Sequence, residues 1–333
     1  MLRSLSWFAI VCFVSFGAAD ARAEPVDLTR AVVVIRAGEL PAAEKIAPVI
    51  LTEEIAARTG LHWKVSTEWP AQADAIIAIS TSANPPAWKD RLPAKDAPSK
   101  KAEAFAIRVV PAADKRPAIV QITGADPRGA MFGVGKLLRT LDWQLGRVAL
   151  DARFSTDEAP DRPLRGHQIG YRNTANSWDA WTYEQYDQYF REMVIFGTNA
   201  VENIPWEGGP RSPVMKYSRE EMNLKFAELC AKYDLDHWIW VPVLVHLPDT
   251  PQEEAFLKQQ EAYYKQIKRL DAVFVPGGDP GHTRPKVLFD LLEKQTANLK
   301  KFHPKAAMWM SPQSFTGPWM EEFYELIRKE PAW

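Results

Sequence analysis

Gly277-Gly278-Asp279-Pro280-Gly281 closes an apolar run, Ala272-Val273-Phe274-Val275, and precedes a helical pattern. That order reads as a buried strand delivering one carboxylate, Asp279, to the end of a parallel β/α array, where barrel enzymes keep their acid/base groups. The two glycines leave the backbone open to close approach by a ligand. Pro280 has no proton to give, so this turn supplies one acid rather than two. Glu207, just past an earlier strand, is the second candidate acid. Glu202 lies inside that strand among apolar neighbours; it is the third candidate and reads equally well as half of a core ion pair. Cys230 follows Met222, Phe226 and Leu229 at helical spacing, which marks a core thiol rather than a nucleophile. His246, His282 and Asp279 share no tight metal-binding spacing, so neither a metal nor a cofactor is expected. Gly133-Val134-Gly135-Lys136 is not a phosphate loop: its first glycine is misplaced, Leu137 replaces the hydroxyl residue, and the stretch lies within a helix.

Two blocks of alternating strand and helix must position these residues. In residues 27–158, strands are expected at 31–36, 63–66, 75–80, 105–110 and 119–123, with a helix at 42–59 ended by Gly60. Residues 83–101 read as a loop. Asp126 caps a second helix, with Pro127 at its first position. Residues 146–162 read as a linker. In residues 160–333 five β/α units follow, with strands at 164–170, 200–205, 237–245, 272–275 and 306–310. Capping boxes at Thr182–Gln185 and Ser218–Glu221 start two of the helices, and Thr250-Pro251-Gln252-Glu253 is expected to cap a third. An eight-unit barrel needs about 250 residues, so the expected fold class is α/β: an N-terminal α/β domain followed by an incomplete (β/α)8 barrel. An open doubly wound sheet is the alternative.

The N-terminus reads as an export signal over residues 1–23, with Arg3, an apolar stretch from Ser6 to Ala18 and a small-residue cleavage site at Ala21-Arg22-Ala23. The apolar stretch is well short of the ~20 residues of a spanning helix. A periplasmic or secreted protein with no membrane span after cleavage is expected. The remainder keeps one cysteine, which excludes an internal disulfide. A net charge of −1 over 333 residues, with well-scattered charges, argues against nucleic acid as partner. The 13 tryptophans and 9 tyrosines, denser after residue 140, suit stacking on sugar rings.

Gly124-Ala125-Asp126-Pro127-Arg128-Gly129-Ala130-Met131-Phe132-Gly133-Val134, with Leu137-Leu138, resembles the closing helix of the accessory domain that precedes the barrel in exported glycoside hydrolases. The group comprises chitobiase-like β-N-acetylhexosaminidases, O-GlcNAcase-like hexosaminidases and α-glucuronidases. Pro163-Leu164-Arg165-Gly166 resembles the start of their first barrel strand, and Gly277-Gly278-Asp279 matches three of the four residues of the hexosaminidase Gly-Gly-Asp-Glu motif. The resemblance implies that Arg165 binds sugar hydroxyls through its planar fork of donors. It also implies that Asp279 orients an acetamido group or takes part in acid/base hydrolysis. It points to a glycan or oligosaccharide substrate carrying amino sugars or uronic acids. The α-glucuronidases carry Pro-Gly after an acidic strand end, as Asp279-Pro280-Gly281 does. His167, Tyr171, His246 and His282 are then candidate sugar contacts, and Trp178, Trp181, Trp206 and Trp309 candidate stacking walls. Two other readings stay open: a non-catalytic carbohydrate-binding protein, and a fragment of a longer glycosidase.

Overall fold

The computed structural model describes residues 24–93, 97–114, 116–169, 181–203, 216–245, 247–279, 282–329 and 331. The elements run β1 Val26–Asp27, β2 Ala31–Val34, α1 Ala42–Thr59, β3 Lys64–Ser66, β4 Ala75–Thr81, β5 Phe105–Val110, β6 Ala118–Gly124 and α2 Pro127–Thr140. They continue with β7 Asp142–Gln144, β8 Arg147–Leu150, β9 Ser155–Glu158, β10 Gly166–Gln168, α3 Tyr183–Ile195, β11 Ala200–Asn203 and α4 Arg219–Tyr233. The last are β12 Asp236–Trp240, α5 Thr250–Gln266, β13 Ala272–Val275, α6 Pro285–Phe302, β14 Ala307–Met310 and α7 Pro318–Arg328.

The first block is a six-stranded sheet in the order β3-β2-β4-β6-β5-β9, with β5 antiparallel to both of its neighbours. β4 is buried along its whole length because both sheet faces are covered. Ile77 and Ile79 meet the core built with α1 and α2, whereas Ile76 and Ala78 meet Trp88 and Leu92 of the 83–101 loop. Residues read as a linker in fact hold β8 and β9; β9 is polar and extends the sheet at its edge, and β8 joins a small β1-β8-β7 sheet. Their short, mixed patterns carry little periodicity, which is why they read as loop.

The second block is a parallel sheet in the order β10-β11-β12-β13-β14, each strand followed by a helix. It is a partial (β/α) barrel. Both capping boxes form, at Thr182 and at Ser218. The third does not: Asp249 caps α5, accepting from the Gln252 N–H at 3.1 Å, and Thr250 is already helical. β12 ends at Trp240, short of the expected Val245, because residues 241–245 leave the sheet.

Packing crosses the boundary between the blocks. α2 lies against α3 and α1 against α4, and a single apolar core runs from Val26 to Leu235. A Cβ at Gly135 would sit 2.6 Å from the Ile195 carbonyl oxygen, so this glycine lets α2 approach the end of α3. Arg139 of α2 adds a hydrogen bond to that same carbonyl at 3.0 Å.

Candidate functional site

Period-2 alternation sorts the barrel residues onto two faces. On the face toward the helices, His167, Val201 and His237 form one register row, and Ile239, Val273 and Met308 belong to the next. Gln168, Glu202, Trp238, Ala272 and Ala307 form a row on the opposite face, and Trp240, Phe274 and Trp309 form the row above it, nearer the carboxyl ends. That second face is open. Trp309 is 49% exposed and pairs with Trp238 at a ring-centroid distance of 5.2 Å, and Trp240 and Phe274 are only half-buried.

Asp279 lies in the loop after β13, at the carboxyl end of the sheet. The loop after β14 holds it: the Gln313 amide donates to the Asp279 carboxylate at 2.6 Å, and the Gly278 N–H donates to the Gln313 carbonyl at 2.9 Å. The glycines admit this close contact between the two loops. A Cβ at Gly277, which has φ +68°, would come 2.3 Å from the Ser311 carbonyl oxygen, and one at Gly278 would meet the Phe315 ring at 3.0 Å. His282, exposed and at φ +49°, closes the same turn by donating its N–H to the Gly278 carbonyl.

Below this loop, Glu202 accepts a hydrogen bond from the Gln168 amide at 2.8 Å. Burial holds its carboxyl above the usual range, and the Gln168 contact offsets this only in part. Among the described residues its hydrogen-bond partner is the neutral Gln168 amide, and no ion pair to Glu202 is formed. The register sets Glu202 level with Ala272, three residues short of the end of β13 and two strands away. At about 3.3 Å per residue and 4.8 Å per strand, that offset is large against the carboxyl pairs of glycosidases, roughly 5–9.5 Å apart.

Two expected sugar contacts lie elsewhere. Arg165 precedes β10, at the amino-terminal end of the sheet and so at the opposite end from Asp279. Its guanidinium is committed to Glu103 at 2.5 Å, the Gly197 carbonyl at 2.8 Å and the Arg162 carbonyl at 2.8 Å, and it packs over the Phe132 ring. Asn199 also donates to Glu103, at 3.1 Å, and Arg128 reaches from Glu103 to Asp236 at 2.6 Å. Arg165 is therefore part of a network joining the two blocks, with each of its three guanidinium nitrogens hydrogen-bonded within it. His167 faces the helix side, where its Nε2 lies 2.7 Å from the Tyr189 hydroxyl and the rings meet edge to face. Trp181 packs on Tyr186 and Tyr189 against the shared core, as a structural wall. Tyr171, Trp178, His246, Trp206, Glu207, Pro280 and Gly281 lie outside the described residues, as does the segment 1–23.

The sequence reading missed Trp238, Trp240, Gln168 and Gln313. The tryptophans were not legible: Asp236-His237-Trp238-Ile239-Trp240 carries apolar residues on both faces, and burial alternates along it only once the sheet forms. Gln313 has no local signal, since its role depends on one loop folding over the next. Cys230 is fully buried, and burial pushes its thiol pKa up, away from the reactive thiolate. Among the described residues no cluster of three or more His, Cys, Asp or Glu could hold a metal, and no helix is long and apolar enough to cross a membrane.

The fold is shared by solved glycoside hydrolases, and among the described residues its barrel part has five strands. No family model and no curated protein matches the chain by sequence. Among solved structures, it is similar to the GH84 protein CpGH84B, with TM-score 0.59 at 16% identity over 91% of this chain and 52% of that one. It is also similar to the GH115 4-O-methyl-α-glucuronidase BtGH115A, described as specific for decorated arabinogalactans, with TM-score 0.63 at 12% identity over 92% and 44% of the two chains. A third is the GH20 exo-β-N-acetylglucosaminidase from Vibrio harveyi, in complex with N-acetylglucosamine, with TM-score 0.58 at 12% identity over 86% and 52%. The chain spans about half the length of these structures.

Proposed function

We propose that this is an exported glycoside-hydrolase-like protein acting on glycans that contain amino sugars or uronic acids, with carboxylate acid/base chemistry centred on Asp279. One observation carries this reading. A carboxylate held in place by Gln313 stands at the carboxyl ends of a partial barrel, above an open face lined by Trp240, Phe274 and Trp309. The aromatic rows supply flat apolar surface for sugar rings, and the Asp279 carboxylate supplies the group that exchanges a proton or orients a substituent. The similar glycosidases support the substrate class. A non-catalytic glycan-binding role is the second reading. It draws support from the register, which sets Glu202 well below Asp279.

Turnover of aryl N-acetylglucosaminides and glucuronides separates the two readings. On the catalytic reading Asp279→Asn lowers turnover by about 10²–10⁴-fold while the protein stays folded. Unchanged turnover in Asp279→Asn removes the residue from the chemistry, and glycan binding without any turnover in the parent establishes the second reading.

A further inference from the structure

The turn that carries Asp279 is seated on the loop after β14. Ser311 extends the sheet by one step, its N–H donating to the Val275 carbonyl at 3.1 Å. Pro312 then opens a tight turn, closed by the Phe315 N–H on the Pro312 carbonyl at 3.1 Å, with Ser314 at φ +61°. Phe315 drops from this turn into the core, 3% exposed, where its ring meets Trp319 and Phe323 at centroid distances of 6.1 and 5.8 Å. Gln313 stands just before that aromatic anchor and reaches the Asp279 turn at two points. Its carbonyl accepts from the Gly278 N–H at 2.9 Å, and its Nε2 donates to Asp279 Oδ2 at 2.6 Å. Gln313 is exposed, so water could satisfy its amide equally well. Holding it on the carboxylate gives up rotamer freedom that solvent would leave it.

Resting on the reading of Asp279 given above, we propose that Gln313 is its positioning residue: it reserves Oδ2 as an acceptor and turns Oδ1 to the substrate as the oxygen through which Asp279 exchanges a proton. The donor dictates this. An amide N–H seeks an acceptor lone pair, and the hydroxyl oxygen of a neutral carboxyl is a far poorer acceptor than its carbonyl oxygen. The proton of the neutral acid therefore belongs on Oδ1. When Asp279 acts as base, an O–H bond of the substrate or of an attacking water breaks and the Oδ1–H bond forms. When it acts as acid, that proton passes from Oδ1 to the departing oxygen, and Oδ2 stays bonded to Gln313 throughout. A carboxylate fixed in this way needs no reorientation at the moment of reaction. The choice of an amide matters too. A neutral donor orients the carboxylate and leaves its negative charge for the substrate, which a lysine or arginine in its place would cancel.

Magnetic resonance of the nitrogen-labelled full chain tests the contact, and turnover tests its consequence. The side-chain amide signals that vanish in Gln313→Ala belong to Gln313. One of its two amide protons should lie downfield of free glutamine side chains and return to their position in Asp279→Ala. Signals at the free position in the parent would overturn the proposal. With aryl N-acetylglucosaminides and glucuronides as substrates, Gln313→Ala should lower kcat by about 10–100-fold while KM stays within about 2-fold. Added to Asp279→Asn, it should cost less than about 2-fold further, because its effect passes through the carboxylate. Equal losses in both backgrounds would give Gln313 a role of its own and overturn the positioning. Parent-like kcat in Gln313→Ala beside an inactive Asp279→Asn would also overturn it, and would leave the acid/base reading standing. A parent without turnover whose Gln313 signals still answer to Asp279 would sink that reading and leave the hold of Gln313 on the carboxylate in place.

Discussion

His237 shows how a polar residue is made permanent in this core. It is fully buried on the helix side of β12, where Nδ1 donates to the Arg269 carbonyl at 2.8 Å and Nε2 accepts from the Asn203 amide at 3.0 Å. Protonating Nε2 would set two donors against each other. Burial pushes the imidazole pKa down to about 4, below its ordinary 6.5. A histidine depressed in the folded state is neutral there while the unfolded chain takes up protons. Its contribution is therefore whole above about pH 6.5 and is lost as pH falls toward 4, amounting to about 3 kcal/mol. Denaturation midpoints measured from pH 7 to 4 should fall for the parent relative to His237→Gln, which cannot titrate; parallel curves would show that His237 is not held neutral. None of this was legible in sequence, where His237 is one polar letter at the start of an apolar strand.

At the scale of elements, the motif Asp126-Pro127-Arg128-Gly129 serves docking rather than ligand binding. Asp126 caps α2 at the Gly129 N–H, 2.8 Å, and also accepts from the Glu103 N–H, 2.7 Å, which fixes Glu103 at φ +63°. Glu103 is then the anchor for Arg128, Arg165 and Asn199. Breaking a buried pair by removing one partner costs roughly 3–5 kcal/mol. Glu103 keeps two partners when Arg165 is removed, so Arg165→Ala should cost less, about 2 kcal/mol in urea denaturation, and should leave sugar affinity at the parent value. A selective loss of sugar binding with stability intact would return Arg165 to the site. Helices with caps and long apolar stripes were legible here, as α2 and α3 show. The fate of Arg165 was not, because whether an arginine meets a ligand or a glutamate 62 residues away is decided by how two blocks dock.

For the molecule as a whole, the barrel strands present two unlike faces. One is sealed by α3 to α7, with the β11, α3 and α4 part joined to the core of the first block and the β12–β14 part forming a second core; the other carries Trp238, Trp240, Phe274 and Trp309, none of them fully buried. The β/α alternation and the count of five units follow from hydrophobic period alone. The open face does not, since it emerges only when register assigns the tryptophans to one side. On the proposed function, this exposed aromatic surface is the face that meets the glycan. Assigning the indole N–H resonances and titrating the full chain with a disaccharide of N-acetylglucosamine tests the placement of the site directly. The account predicts that Trp238, Trp240 and Trp309 shift, while Trp63, Trp69, Trp88 and Trp143 of the first block stay still. Shifts confined to the first block, or none on the open face at saturating sugar, would contradict it.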